Sequence, residues 1–186
     1  MTPADRAPPG GTHCNPGEHI VDRLWAPWRI GYVSQSDKEE TCFLCDAAGA
    51  PDQDADRLVV RRGESVFAIL NRYPYNNGHV MVAPFAHKSD LAELDTAERS
   101  ELFELVIEVQ AGLRDRFRPH GFNIGVNIGA AAGAGIPGHV HVHIVPRWNG
   151  DTNFVTTCSE VKVISQSLEA SHAELTAYFE EAEARS

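Results

Sequence analysis

The sequence predicts an α+β protein, an antiparallel sheet of about five strands with one long central helix and a C-terminal helix. Three observations predict it. Five short apolar or β-branched segments are bounded by Gly, Pro or Asn. One long segment carries apolar residues at helical spacing behind an N-terminal capping signal. A Glu-rich amphipathic stretch closes the chain.

Residues 1–18 are rich in Pro, Gly and Thr without periodicity and read as a disordered tail, leaving 19–186 as a single domain. Asp46 to Arg57 is Ala/Asp-rich with Gly49 and Pro51, and reads as a loop. The first three strands are expected at Leu58–Arg62, Val66–Asn71 and His79–Pro84, with His79 as a structural strand residue. Asp95-Thr96-Ala97-Glu98 is a capping box with Asp in place of the usual Ser or Thr, opening a helix of roughly 96–117. Leu102, Leu105, Val106, Val109 and Leu113 share one face of that helix. Two more strands follow at Phe122–Ile128 and His139–Pro146. A final helix covers about 164–184, with Leu168, Leu175 and Phe179 inward.

At 186 residues the chain has ample material for a core, and its net charge of −10 argues against general binding of nucleic acid polymers. No apolar run approaches the roughly 20 residues of a membrane span. The N-terminus lacks a basic segment followed by an apolar one, and the four cysteines have no framework spacing. These features point to a reducing compartment, the cytoplasm.

The chemistry concentrates in Gly138-His139-Val140-His141-Val142-His143-Ile144-Val145-Pro146-Arg147, which holds three of the nine histidines at two-residue spacing. On a strand this spacing puts three imidazoles on one face and Val140, Val142 and Ile144 on the other. Imidazole serves near neutral pH as nucleophile, acid/base or metal ligand. Gly133, Ala134 and Gly135 precede the motif in a Gly-rich turn whose backbone N–H groups can approach a phosphate closely. Cys42-Phe43-Leu44-Cys45 supplies half of a zinc site.

With these flanks, the histidine segment resembles the signature of the histidine-triad (HIT) superfamily, nucleotide hydrolases and nucleotidyl transferases acting on the α-phosphate of nucleotide conjugates. Asn71-Arg72-Tyr73-Pro74-Tyr75-Asn76-Asn77-Gly78-His79-Val80-Met81-Val82-Ala83-Pro84 resembles the family's nucleoside-pocket segment. Leu24-Trp25-Ala26-Pro27-Trp28-Arg29 resembles the entry segment of a bacterial branch that includes diadenosine polyphosphate phosphorylases. The resemblance spans roughly residues 20–160 and implies a HIT-like fold.

It also implies roles. His141 is the nucleophile, forming a covalent nucleotidyl-imidazole. The carbonyl of His139 holds one ring nitrogen of His141 as N–H, and His143 donates to phosphate oxygens near the leaving group. Asn71 and the strand bearing Ile69 lie against the ribose and base, and Asn127 approaches the phosphates. Trp148 packs on the nucleotide, on a partner subunit or at the core edge. His87 and His139 complete a structural zinc site with Cys42 and Cys45. Gly135 departs from many diadenosine polyphosphate enzymes, which place Gln or Ser there. The family commonly forms homodimers or larger homo-oligomers through the long helix and its adjoining strand. The leading expectation is an enzyme cleaving dinucleoside polyphosphates or related conjugates. The alternative is a non-catalytic nucleotide-binding regulatory module with a structural zinc.

Overall fold

A computed structural model describes residues 42–152 and 164–185. The expected tail, the Trp25 and Trp28 segment and Cys158 lie outside the described residues.

Five strands form one antiparallel sheet in the order β1-β2-β3-β5-β4: β1 Val59–Arg62, β2 Val66–Leu70, β3 Val80–Pro84, β4 Gly121–Val126 and β5 Val142–Arg147. The fold class follows the expectation. Every residue of β2 and β3 is buried, which explains their unbroken apolar sequences. The long helix, labelled α3 because two short helices precede it, spans Thr96–Phe117 and packs on β2, β3 and β5. Its capping box is formed from both sides, Asp95 Oδ1 accepting from Glu98 N–H and Glu98 Oε2 from Asp95 N–H. The five apolar residues read as its inner face are all buried.

The final helix, α4, spans Leu168–Glu183 with Ser167 as its N-cap, and packs against α3 and β1. It crosses α3 at Gly112, where an added Cβ would lie 2.8 Å from the Tyr178 ring. Leu175 and Phe179 are buried there as expected.

Two expectations are corrected. Residues 46–57 are not a loop: α1 covers Phe43–Ala48 and α2 covers Asp54–Arg57, with a 3-10 turn at Pro51–Gln53 between them. Leu44 and Ala47 are drawn into the core, while Arg62 donates to the carbonyls of Ala47 (2.6 Å) and Ala48 (3.1 Å) and pairs with Asp54. A side chain distant in sequence thus satisfies the helix end, and six residues between turn formers carry too little periodicity to reveal it.

The second correction concerns the histidine strand, which begins at Val142 rather than His139. β3 pairs with β5 only from Val80↔Ile144 to Val82↔Val142. Ahead of that, the chain peels from the ladder to meet the loop after β3: Val140 N–H donates to Lys88 O at 2.6 Å. The remaining strand ends differ from expectation by one or two residues.

Candidate functional site

The three histidines do not form one row. The rings of His141 and His143 are neighbours, 4.7 Å apart and nearly perpendicular, whereas the His139 ring turns toward the cysteines. The apolar side of the pattern holds, with Val140, Val142 and Ile144 all buried.

His141 Nδ1 lies 2.8 Å from His139 O. A carbonyl can only accept, so Nδ1 carries the proton and the neutral ring keeps its lone pair on Nε2. Burial pushes the His141 pKa below the ordinary histidine value, against the opposing pull of the His139 carbonyl. The result is a neutral, oriented imidazole with one defined nucleophilic nitrogen.

His143 is held from behind by His79, whose role the sequence reading missed. His79 is fully buried, one residue before β3, with Nε2 3.0 Å from His143 Nδ1. The Tyr75 backbone N–H donates to His79 Nδ1 at 3.1 Å, and the Tyr75 ring lies over His79 and His143, 4.7 and 5.8 Å between centroids. Burial, reinforced by His143 and His141, lowers the His79 pKa to about 3. The only sequence signal was position, two residues before Met81, which stands opposite His143 in the ladder. That register becomes known only on folding.

The second constellation joins Cys42 and Cys45 with His87 and His139, whose ligand atoms all lie within 4.8 Å of one another. Cys42 Sγ and Cys45 Sγ are 3.3 and 3.4 Å from His139 Nδ1, and Cys45 Sγ is 3.1 Å from His87 Nδ1. Two thiols and two imidazoles are a donor set that tetrahedral Zn²⁺ takes, and the four ligand atoms lie together on the scale of such a site. His139 Nε2 donates to Pro84 O at 2.9 Å, so the Nδ1 lone pair is the one directed at the cysteines, the outer contact that histidines able to bind a metal usually make. Burial, the neighbouring Cys42 side chain and Asp46 push the Cys45 thiol up to about 11. Gly138 admits His87, since a Cβ there would sit 3.1 Å from His87 Nε2.

The other expected residues fall differently. Ile69 is buried in β2, opposite Met81 in the ladder. Asn71 Oδ1 accepts from Tyr73 N–H at 2.9 Å, an Asx turn, while its Nδ2 lies 3.4 Å from His79 Nδ1. Asn127 is half-buried just after β4. Gly133 adopts φ +81° and its N–H donates to Ala130 O at 3.0 Å, so that amide closes the turn. Among the described residues, no backbone carbonyl engages the amides of Ala134 and Gly135. Trp148 is half-buried, its N–H donating to Asp151 Oδ2. His120 and His172 take structural roles, toward Asn149 N–H and Val59 O.

Comparison with known proteins agrees with this geometry. Residues 52–150 match the family model described as the HIT domain. AP-4-A phosphorylase of Mycobacterium tuberculosis (strain ATCC 25618 / H37Rv) is 40% identical over 157 residues, 80% of this chain and 79% of that protein. The asymmetrical bis(5'-nucleosyl)-tetraphosphatase of Schizosaccharomyces pombe is 39% identical over 84 residues, 45% of this chain and 46% of that protein. Among solved structures, a Zn-bound histidine triad family protein from Mycobacterium smegmatis superposes with a TM-score of 0.63 at 25% identity, covering 78% of this chain and 98% of that one.

The buried His79 makes stability fall with acid. Its folded pKa of about 3 lies below its unfolded value of 6.5, so the unfolded chain binds the proton first. Stability from this residue is complete above pH 6.5 and is lost as pH falls toward 3. Between pH 7.5 and 5 it accounts for about 2 kcal/mol. Denaturant unfolding at both pH values should show a smaller pH-dependent loss in His79→Gln than in the wild type; equal losses would refute the account.

Proposed function

We propose that this chain, which belongs to the histidine-triad (HIT) domain family, cleaves dinucleoside polyphosphates at the α-phosphate through a covalent nucleotidyl-His141. The observation that carries the reading is the 2.8 Å contact from His141 Nδ1 to His139 O, beside His143. It frees Nε2 to attack phosphorus in line with the departing phosphate oxygen. The adduct is an N-phosphoryl imidazolium, labile to water or inorganic phosphate. His143 supports the charge gathering on the phosphate oxygens. The amides of Ala134 and Gly135, with Asn127, are the donors we assign to the nucleotide phosphates, and Asn71 and Trp148 border the nucleoside.

Cys42, Cys45, His87 and His139 are the residues that would hold a zinc ion. Such an ion supplies structural cross-linking, tying α1 and the loop after β3 to His139, and so to the carbonyl that orients His141. We also propose pairing of two copies through the edge strand β4 and the outer face of α3. Phe103 and Ile107 on that helix and Ile124 on that edge strand are exposed apolar side chains, at 50%, 57% and 44%. Unpaired thiols at Cys42 and Cys45 suit a cytoplasmic setting.

Incubation with diadenosine tetraphosphate should release ATP whether or not inorganic phosphate is present. The second product, identified by mass, should be AMP from water and ADP from phosphate. His141→Ala should abolish turnover while changing nucleotide affinity by less than about tenfold, 1.4 kcal/mol. Full binding with no turnover by the wild type would favour the regulatory-module alternative.

Elemental analysis of protein purified without a metal-chelating tag should find one zinc per chain. Cys42→Ser should lower thermal stability first and activity as a consequence. Zinc near zero in a fully active protein would reduce the cysteines to plain thiols.

Light scattering should give the mass of two chains for the wild type and of one for the double variant Ile107→Glu, Ile124→Glu. A wild type at one chain's mass would sink the pairing.

A further inference from the structure

We infer that Gly125 is a specificity-determining residue: by carrying no side chain it keeps a lane open beside His143, through which the second nucleotide of a dinucleoside polyphosphate extends. The inference rests on the nucleotidyl-transfer reading above and specifies the shape of its substrate.

The placement comes from strand register. Ile69 stands opposite Met81, Met81 opposite His143, and His143 opposite Gly125, so one row crosses the sheet from β2 to the edge strand β4. Residues paired in this way project to the same face. Ile69 and Met81 are buried, and the row ends at Gly125, which is exposed. Among the described residues beyond its two chain neighbours, no heavy atom lies within 4 Å of a Cβ built at Gly125. Next to it on that face of β4 stand Asn123 and Asn127. Asn123 Oδ1 accepts from Arg147 at 2.7 Å, and Arg147 pairs with Gly121, so this carboxamide leans along the strand away from Gly125. A gap is left over β4 beside His143.

The backbone does not require glycine here. The φ of Gly125 lies outside the left-handed region, so an ordinary side chain would fit the strand. Glycine inside a strand weakens it, through the freedom it gives the unfolded chain and the packing it forgoes. Valine or threonine would serve the sheet better. What glycine supplies is space, and a glycine within a strand can mark the close approach of a ligand.

The direction of the substrate makes that space useful. Neighbouring strands lie about 4.8 Å apart. With the nucleoside bordered by Asn71, just after β2, and the α-phosphate at the histidines of β5, the nucleotide has crossed two strand spacings. Its remaining phosphates, continuing away from the nucleoside, pass over β4 at Gly125. A side chain there would put its Cβ about 4.5–5.5 Å from that of His143, in the path of the chain. In the chemical step His141 Nε2 forms the N–P bond, the P–O bond breaks, and the electron pair leaves on the phosphate oxygen of the second nucleotide. A donor whose leaving group is a single atom does not enter the lane.

The test compares two adenylyl donors on the full chain with its metal complement intact. One is diadenosine tetraphosphate. The other is adenosine 5'-phosphorofluoridate, which loses fluoride with its bonding electron pair when His141 attacks. The proteins are the wild type, Gly125→Ala, Gly125→Val and, as control, Gly121→Val, on the same strand and face, where a Cβ also meets open space. The kcat/KM ratio of tetraphosphate to fluoridate should fall at least about tenfold in Gly125→Val, the lower end of what one misfitted methylene costs in a pocket. It should fall less in Gly125→Ala and hold at the wild-type ratio in Gly121→Val. An unchanged ratio in Gly125→Val, or an equal fall in Gly121→Val, would overturn the inference. Thermal unfolding should find Gly125→Val at least as stable as the wild type; a clearly lower midpoint would mean that the strand itself needs the glycine. Calorimetric titration with AMP and with a methylene-bridged, non-hydrolysable diadenosine tetraphosphate gives a readout independent of turnover. Gly125→Val should weaken the diadenosine ligand at least about tenfold more than AMP, and equal changes for both would overturn the lane. That binding difference in a protein that turns over neither donor would support the lane and count against the proposed function.

Discussion

The site depends on where the carbonyl of His139 points. That one acceptor selects the His141 tautomer, and with it the nitrogen that can attack. A carbonyl in a regular strand would be spent on the ladder, so the chain must leave the sheet just before His141. It does so by exchanging β3 for the segment after it. Val140 N–H donates to Lys88 O, and the His139 ring donates to Pro84 O. Lys88 is in turn fixed by Glu98, the residue that closes the capping box of α3. The start of the long helix, the loop after β3 and the reactive strand thereby share one set of contacts. The cysteine–histidine cluster adds a further anchor on the same residue, and would make His139 the junction between a metal centre and the proposed nucleophile.

Burial then sets the protonation states. His141 and His79 are both drawn out of water, and burial holds each below the ordinary histidine pKa. A neutral imidazole is the useful form for a nucleophile. The cost appears in acid, where the unfolded chain takes up protons that the folded one refuses. Chain direction matters equally: the Tyr75 amide, the His79 ring and the His143 ring form an ordered series whose polarity starts from the backbone.

Much of this was legible from residue order. The capping box and the apolar face of α3 required only local spacing, and the long helix emerged with the expected limits. The C-x-x-C pair, the triad and the separate strands were visible because their spacing is short and their residue types are distinctive. The short helix Phe43–Ala48 was not. It is held by burial of Leu44 and Ala47 and by Arg62, fourteen and fifteen residues away from the carbonyls it caps. Asn71 was read from the family resemblance, and folding adds that its oxygen closes a turn and its nitrogen faces His79.

By itself, then, the sequence determined the fold class, the family resemblance and the identity of the groups able to do chemistry, because alternation, helical period and capping act between near neighbours. Only the tertiary structure decided how those groups are divided. Two-residue spacing put all three histidines on one face, and the family resemblance alone set His139 beside the cysteines; strand pairing that stops at Val142 is what turns it there and leaves His141 and His143 together. The partnership of His79 with His143 likewise arises from the register between β3 and β5, a contact across 64 residues. Hydrogen-bond direction, tautomer and burial are properties of that register, and no local spacing encodes them.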